Sequence, residues 1–359
     1  MSAKPSKSIF SRILRLVLVL ILVPLLYVVG MILYAMATDY QPAATEKLPI
    51  AFSGSRDSLP DTLQLLSWNI GYAGQGAESD FFYDGGKQVR ASAQTVENNL
   101  QGIQDFLSKN GPAADFVLLQ EVDTAARRSY HTNQINALQS ALPGYAEAFA
   151  RNYEVQFIPI PFLEPMGKVT AGQSSCSRYQ PIEATRYAFE GNYDWPTYLF
   201  FLDRCFLLMR FPLASGKELI VINTHNSAYD SDGSLKKRQM EQLSAVLLAE
   251  YEKGNAVIVG GDWNQAPPDF NGFPGFELGQ EQGFRVEKNY PAAGWQWAVD
   301  PSVATNRSLA TAWDADKSPR YLIDFFLLSP NLELLEVKGI DLDFVHSDHQ
   351  PVAVKVVVN

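Results

Sequence analysis

The sequence predicts an α/β fold in which two mixed β-sheets pack face to face with helices outside, preceded by one apolar helix. Three observations predict it. Short apolar runs that suit buried strands recur along the chain, helix-period patterns stand between some of them, and one long apolar stretch lies near the amino terminus. The runs share a further property. Leu65-Leu66-Ser67-Trp68-Asn69, Phe116-Val117-Leu118-Leu119-Gln120-Glu121, Ile220-Val221-Ile222-Asn223-Thr224-His225 and Val257-Ile258-Val259-Gly260-Gly261-Asp262-Trp263-Asn264 each close on an acid, amide or imidazole. Ile323-Asp324-Phe325-Phe326-Leu327-Leu328 carries an acid at its start, and Ser347-Asp348-His349 stands just before the last apolar run. Polar groups that recur at strand ends converge on one rim of a sheet.

The 359 residues, 47% of them hydrophobic, suffice for a sizeable core. Residues 1–12 form a basic tail, and residues 13–37 are nearly all Leu, Val, Ile and Tyr. That length crosses a bilayer, and Lys4, Lys7, Arg12 and Arg15 place the flank on the cytoplasmic side. Pro24 is tolerable in a membrane helix. Ala35-Met36-Ala37 resembles a signal cleavage site, but the apolar core exceeds the roughly 7 to 15 residues of a secretory signal. A single-pass anchor in the cell membrane with an extracytoplasmic domain is therefore favoured over secretion after cleavage.

Residues 38–60, polar and rich in Pro, Ser and Ala, read as a linker, and 61–359 as one domain. A first strand spans 63–69, and a Gly- and Asp-rich loop spans 71–86. Val96, Leu100, Ile103 and Leu107 have helical spacing until Asn110-Gly111-Pro112 stops them. A strand at 115–119 and a helix at 132–142 follow. Met240, Leu243, Val246 and Leu247 mark the inward face of a helix over 235–251, which Gly254-Asn255 ends before a strand at 256–260. Residues 151–211 and the carboxy-terminal part read as strands and loops, and no composition break forces a second domain.

Charge narrows the function. The whole chain carries −10; beyond the basic flank, 25 basic against 39 acidic residues leave −14. Nucleic acid is thereby disfavoured as a partner, because a long duplex footprint needs many Lys and Arg to neutralise phosphates. Cys176 and Cys205, expected on neighbouring strands, are read as free thiols rather than a disulfide, although export permits one. No partner protein is indicated.

Together, Trp68-Asn69, Gln120-Glu121-Val122, Asn223-Thr224-His225, Gly261-Asp262-Trp263-Asn264, Ile323-Asp324-Phe325 and Ser347-Asp348-His349 resemble the endonuclease/exonuclease/phosphatase superfamily, in its order. The resemblance covers 61–359 and implies a four-layer α/β sandwich and metal-dependent cleavage of a phosphoester. The segments Asp80-Phe81-Phe82-Tyr83-Asp84-Gly85-Gly86 and Arg128-Ser129-Tyr130 are similar to a narrower exported branch.

Residue chemistry agrees. Oxygen ligands such as Glu121 and the amide of Asn69, with Asp348 completing the set, suit Mg²⁺, with Mn²⁺ the runner-up. The resemblance implies His349 as general base, Asp324 as the group that fixes its tautomer, Asp262 as orienter of the attacking water, and Asn264 and His225 as contacts to the phosphate. The expected reaction is an in-line displacement on a phosphodiester of a lipid or small molecule, with a nuclease as the alternative. A catalytically dead, membrane-tethered binding protein is the rival class, but it would have lost one of Glu121, Asp262 or His349. His131 and His346 match no motif and read as structural; Asp123, Asp230 and Asp232 read as solvated turns. The aromatics of 152–203 read as core, with a bilayer-facing loop as the other possibility. Arg178, Arg186 and Arg204 are candidate phosphate binders, or in the case of Arg204 the partner of an acid.

Overall fold

The computed structural model describes residues 9–51, 53–55, 57–276 and 284–358. One seven-stranded sheet runs in the order Thr45–Lys47, Glu183–Ala188, Cys205–Pro212, Glu218–His225, Ala256–Asp262, Asp324–Leu328, Gln296–Ala298. The other runs Leu332–Gly339, Val352–Val358, Thr62–Asn69, Phe116–Asp123, Gly167–Ser177, Ala146–Ile158, Ile50–Ala51. Each contains one parallel pair, Glu218–His225 with Ala256–Asp262 and Thr62–Asn69 with Phe116–Asp123, so both sheets are mixed.

Alternation along the strands builds the layers. Leu63, Leu65, Phe116, Leu118, Val221, Ile258, Phe326 and Val354 face the space between the sheets, while their chain neighbours face outward. Helices Ala93–Asn110 and Gln134–Ala141 cover one outer face through Val96, Ile103, Leu107 and Leu138. Helix Ser234–Glu252 covers the other through Met240, Leu243 and Leu247. The result is the four-layer sandwich. Ser92 caps the first of these helices by accepting from the Thr95 amide at 3.1 Å, and Asn133 caps the second.

Two expectations need correction. The stretch read as a linker joins the fold: Thr45–Lys47 pairs with Glu183–Ala188, and Ile50–Ala51 with Ala146–Ile158. Edge strands of two and three residues are held by backbone bonds and leave no side-chain period to read. Cys176 and Cys205 lie in different sheets, Cys176 against the outer helices and Cys205 between the sheets. Both are buried and free, as read.

Helix Ile9–Ala37 is long and apolar enough to cross a membrane, and nearly all its side chains are exposed. Its length and composition suit a membrane anchor or a signal sequence. Residues 1–8 of the expected basic tail lie outside the described residues.

Candidate active site

At one rim the space between the sheets turns from apolar to polar. The inward positions that are Leu, Val or Ile deeper in each strand become Ser67, Asn69, Gln120, Asn223, His225, Asp262 and Asp324 at the ends, all buried. Register aligns three of them on a single rung: Asp262 stands opposite His225 on one side and Asp324 on the other. The sheets are stitched here by Gln120 Nε2 donating to Asn223 Oδ1 at 2.7 Å and Asn69 Nδ2 donating to Asp262 Oδ2 at 3.1 Å.

Local backbone explains how the side chains arrive. Gly261, at φ 146°, precedes Asp262, and a Cβ there would lie 2.0 Å from the Thr224 carbonyl oxygen, so only glycine lets the two strands approach. Between Leu119 and Val122 the pairing with Gly167–Ser177 shifts register, and Glu121 takes φ 57°. This bulge turns Glu121 into the cavity at the cost of a left-handed backbone that a non-glycine residue rarely adopts. Gly71, at φ 51°, leaves room for the Asp348 carboxylate, which a Cβ would approach to 2.7 Å.

The His349 segment crosses from the opposite sheet. Trp68 Nε1 donates to the His349 carbonyl at 3.0 Å, and Ser347 Oγ donates to the Asn69 carbonyl at 2.8 Å. His349 Nδ1 lies 2.8 Å from Asp324 Oδ2, and the backbone amides of Ile323 and Asp324 both donate to Thr305 Oγ1 at 3.0 Å. With Nδ1–H donating to Asp324, Nε2 faces the cavity, 3.8 Å from Asp262 and 3.9 Å from Asp348. His225 Nε2 lies 3.3 Å from Asp262 and 3.7 Å from Glu121. Asn264, at φ 50°, donates from Nδ2 to the Asn226 carbonyl, and its own amide donates to Asp262 Oδ1.

Four carboxylates crowded in a buried space perturb one another. Burial, then Asp348, pushes Glu121 up to about 8, and burial lifts Asp324 to about 6 despite His349. Burial would lower the His349 imidazolium, but Asp324, Asp348 and Asp262 hold it well above its ordinary value. His225 moves the other way, kept neutral by burial and by the Arg204 guanidinium.

Glu121, His225, Asp262, Asn264, Asp348 and His349 line one cavity of about 400 Å³, and Asn69 and Asp324 touch its lining residues directly. Asn69, Glu121, His225, Asp262, Asn264, Asp324, Asp348 and His349 are thus brought together from across the domain. A sequence model of the endonuclease/exonuclease/phosphatase family matches residues 66–349. The chain belongs to this family. Its members are usually phosphoester hydrolases that use divalent metals. No curated protein sequence matches the chain.

Solved family structures share the fold at low identity. The endonuclease/exonuclease/phosphatase from Beutenbergia cavernae DSM 12333 aligns with TM-score 0.58 and 18% identity over 83% of this chain and 72% of that one. The human Nocturnin catalytic domain with bound sulfate aligns at 0.53 and 16%, covering 86% and 98%. TDP2 of D. rerio complexed with a single-strand DNA product aligns at 0.51 and 15%, covering 83% and 99%.

The donor set of this family member fits a hard divalent cation. Asp348 helps to raise Glu121, and among the described residues Asn69 Oδ1 accepts only from the Gly71 amide, leaving a lone pair. Asp262, Asp324 and His349 also lie close enough together to ligate, but His349 Nδ1 is already committed to Asp324.

Other residues fall differently from expectation. Arg178 reaches the Pro112 carbonyl and Arg186 the carbonyls of Arg151 and Asp203, so neither enters the cavity. Arg204 does, and among the described residues it has no acid within ion-pair distance and its buried Nη1 has no hydrogen-bond partner. Asp123 is no solvated turn: it is buried in a bidentate pair with Arg128, whose guanidinium stacks 3.2 Å from the Tyr72 ring in the cavity wall. Asp230 is buried too, accepting from the Lys236 amide at the start of a helix, whereas Asp232 is exposed. Tyr72, Tyr229, Arg307 and Thr305 escaped the sequence reading because none terminates an apolar run. Arg128 stood in a motif whose role only the fold reveals.

Proposed function

We propose that the chain is a divalent-metal-dependent phosphoester hydrolase held at the outer face of the cell membrane by its amino-terminal helix, with 61–359 and the edge strands Thr45–Lys47 and Ile50–Ala51 as the catalytic domain. The observation that carries this reading is the buried His349–Asp324 pair, with His349, Glu121 and Asp348 lining one cavity and Asn69 bonded to its lining residue Asp262. Mg²⁺, or Mn²⁺ as second choice, held by Asn69, Glu121 and Asp348, would neutralise charge on the phosphoryl oxygens and acidify a bound water.

The side chains divide the remaining work. Asp324 fixes the tautomer of His349, whose Nε2 takes the proton of the attacking water. Asp262, positioned by Asn69 and His225, orients that water for in-line attack. Asn264, His225 and the unpaired Arg204 donate to the anionic oxygens of the substrate. No covalent intermediate on a side chain is needed.

A net charge of −14 beyond the flank supports a lipid or small-molecule phosphodiester over nucleic acid. The DNA product bound by the D. rerio TDP2 makes single-stranded DNA the nucleic-acid substrate to assay beside that phosphodiester. The deciding experiment is His349→Ala in the full chain with Mg²⁺ and bis(p-nitrophenyl) phosphate. Hydrolysis falls by about 10²- to 10⁴-fold with circular dichroism unchanged; a near-normal rate overturns the assigned base.

A further inference from the structure

The loop between strands Ala146–Ile158 and Gly167–Ser177 presents large apolar side chains to solvent. Phe162 is 76% exposed and Leu163 93%, with Ile160 beside them at 42%. The loop is nonetheless ordered from within: the Glu164 amide donates to the Pro161 carbonyl at 3.1 Å, and the Met166 amide to the Ile160 carbonyl at 3.0 Å. Arg127 Nη1 donates to the Pro165 carbonyl, and Glu164 pairs with Arg90 at 3.7 Å. A structured loop that holds two bulky apolar groups outward marks a surface made to be covered.

Its surroundings name the cover. The Phe162 ring meets Tyr27 of the apolar helix edge-on, with centroids 6.2 Å apart. That same helix touches the Thr197–Phe200 turn, next to which Trp195 is 59% exposed. A hydrocarbon core of roughly 30 Å takes about 20 helical residues. With Arg12 and Arg15 at the inner boundary, the span ends near residue 35, and Tyr27 lies about 12 Å inside the outer boundary. Phe162 shares that depth.

We propose that the 159–166 loop, flanked by Trp195, is a second membrane-inserting element that seats the mouth of the catalytic cavity on the outer leaflet. The inference rests on reading the amino-terminal helix as a membrane span. The occupant is lipid because the patch is continuous with that helix, and because Trp belongs at the bilayer interface. The consequence for the cavity is direct. Met166 ends the loop and lines the cavity, and Tyr153 Oη ties the neighbouring strand to the Phe200 carbonyl at 3.0 Å, just before the lining residues Phe201 and Leu202.

The test places an environment-sensitive fluorophore on the full chain in single-copy nanodiscs. Cys176 and Cys205 are buried, so Phe162→Cys takes the label selectively and the unaltered chain serves as blank. Leu163→Cys is a second probe of the loop, Leu25→Cys reports the helix, and Ser215→Cys, on an exposed turn, reports water. Nitroxide on the lipid acyl chains quenches the label at 162, 163 and 25 by roughly twofold or more and spares 215. Quenching at 25 without quenching at 162 and 163 overturns the inserted loop alone, whether the emission there reports water or a protein cover. Absence of quenching at 25 overturns the membrane span and the proposal with it.

Discussion

Strand Glu218–His225 ends in two charged clusters of opposite character. At its start, Arg210 binds Glu218 at 2.9 Å and Glu250 at 2.6 Å, and Lys253 and Asn255 each donate to Glu250 at 2.8 Å. Burial would raise the Glu250 carboxyl, but those hydrogen bonds pull it down to about 2. At the strand's other end, Glu121, Asp262, Asp324 and Asp348 have no Lys or Arg within 4.0 Å among the described residues, only the imidazoles of His349 and of His225, which is held neutral. There the carboxyl values of Glu121, Asp324 and Asp348 move up instead of down. One end pairs its charges to hold the fold, and the other leaves its carboxyls short of cationic charge, which under the proposed function a divalent cation would supply.

The contrast is broken most severely by Asp324→Asn. The amide leaves the fold in place but no longer selects the His349 tautomer, and kcat on bis(p-nitrophenyl) phosphate falls by about 10²-fold or more. A steady-state assay beside a melting curve checks both halves. At the opposite end Glu250→Ala should do the reverse, costing about 2–4 kcal/mol of stability in urea titration by leaving Arg210 underpaired, with kcat unchanged. The Glu250 contribution is complete above its ordinary value of about 4.5 and is lost as pH falls through about 2, so the variant also flattens the acid limb of the stability profile.

The subtlest test sharpens the comparison with Glu121→Gln in EDTA. Because Glu121 is pushed up to about 8, the folded metal-free protein holds its proton longer than the unfolded chain does, and stability falls as pH rises from about 4.5 to about 8. The glutamine removes that loss, so at pH 8 the chelated variant is more stable by about 1–2 kcal/mol, while Mg²⁺ no longer raises its melting temperature. A variant less stable than the parent under chelation would mean that Glu121 serves the fold.

These two ends also differ in how legible they are. Asn69, His225 and Asp262 could be read because each closes an apolar run of strand length, and burial forces such a residue onto a rim. His349 and Asp324 were readable through the resemblance, which supplied roles that periodicity alone does not. Arg204 and Arg128 sit on loops and Tyr72 in the single turn Gly71–Ala73, where no period constrains direction, and only the fold shows which of several arginines enters the cavity. Asp123 and Asp230 were misjudged for a related reason: a short acidic residue in a turn looks solvated until its buried partner, Arg128 or a helix amide, is in view. The edge strands at 45–51 were hidden by brevity.

The rung shared by His225, Asp262 and Asp324 sets how the molecule tolerates changes of length. Removing one residue from the middle of Ala256–Asp262 would flip Asp262 to the helix-covered face and bring Trp263 into its place, however conservative the deletion looks. Adding residues at the exposed Ser215–Gly216 turn shifts neither strand against the other. Insertions and deletions are thus filtered by position along the strand long before any catalytic side chain is exchanged.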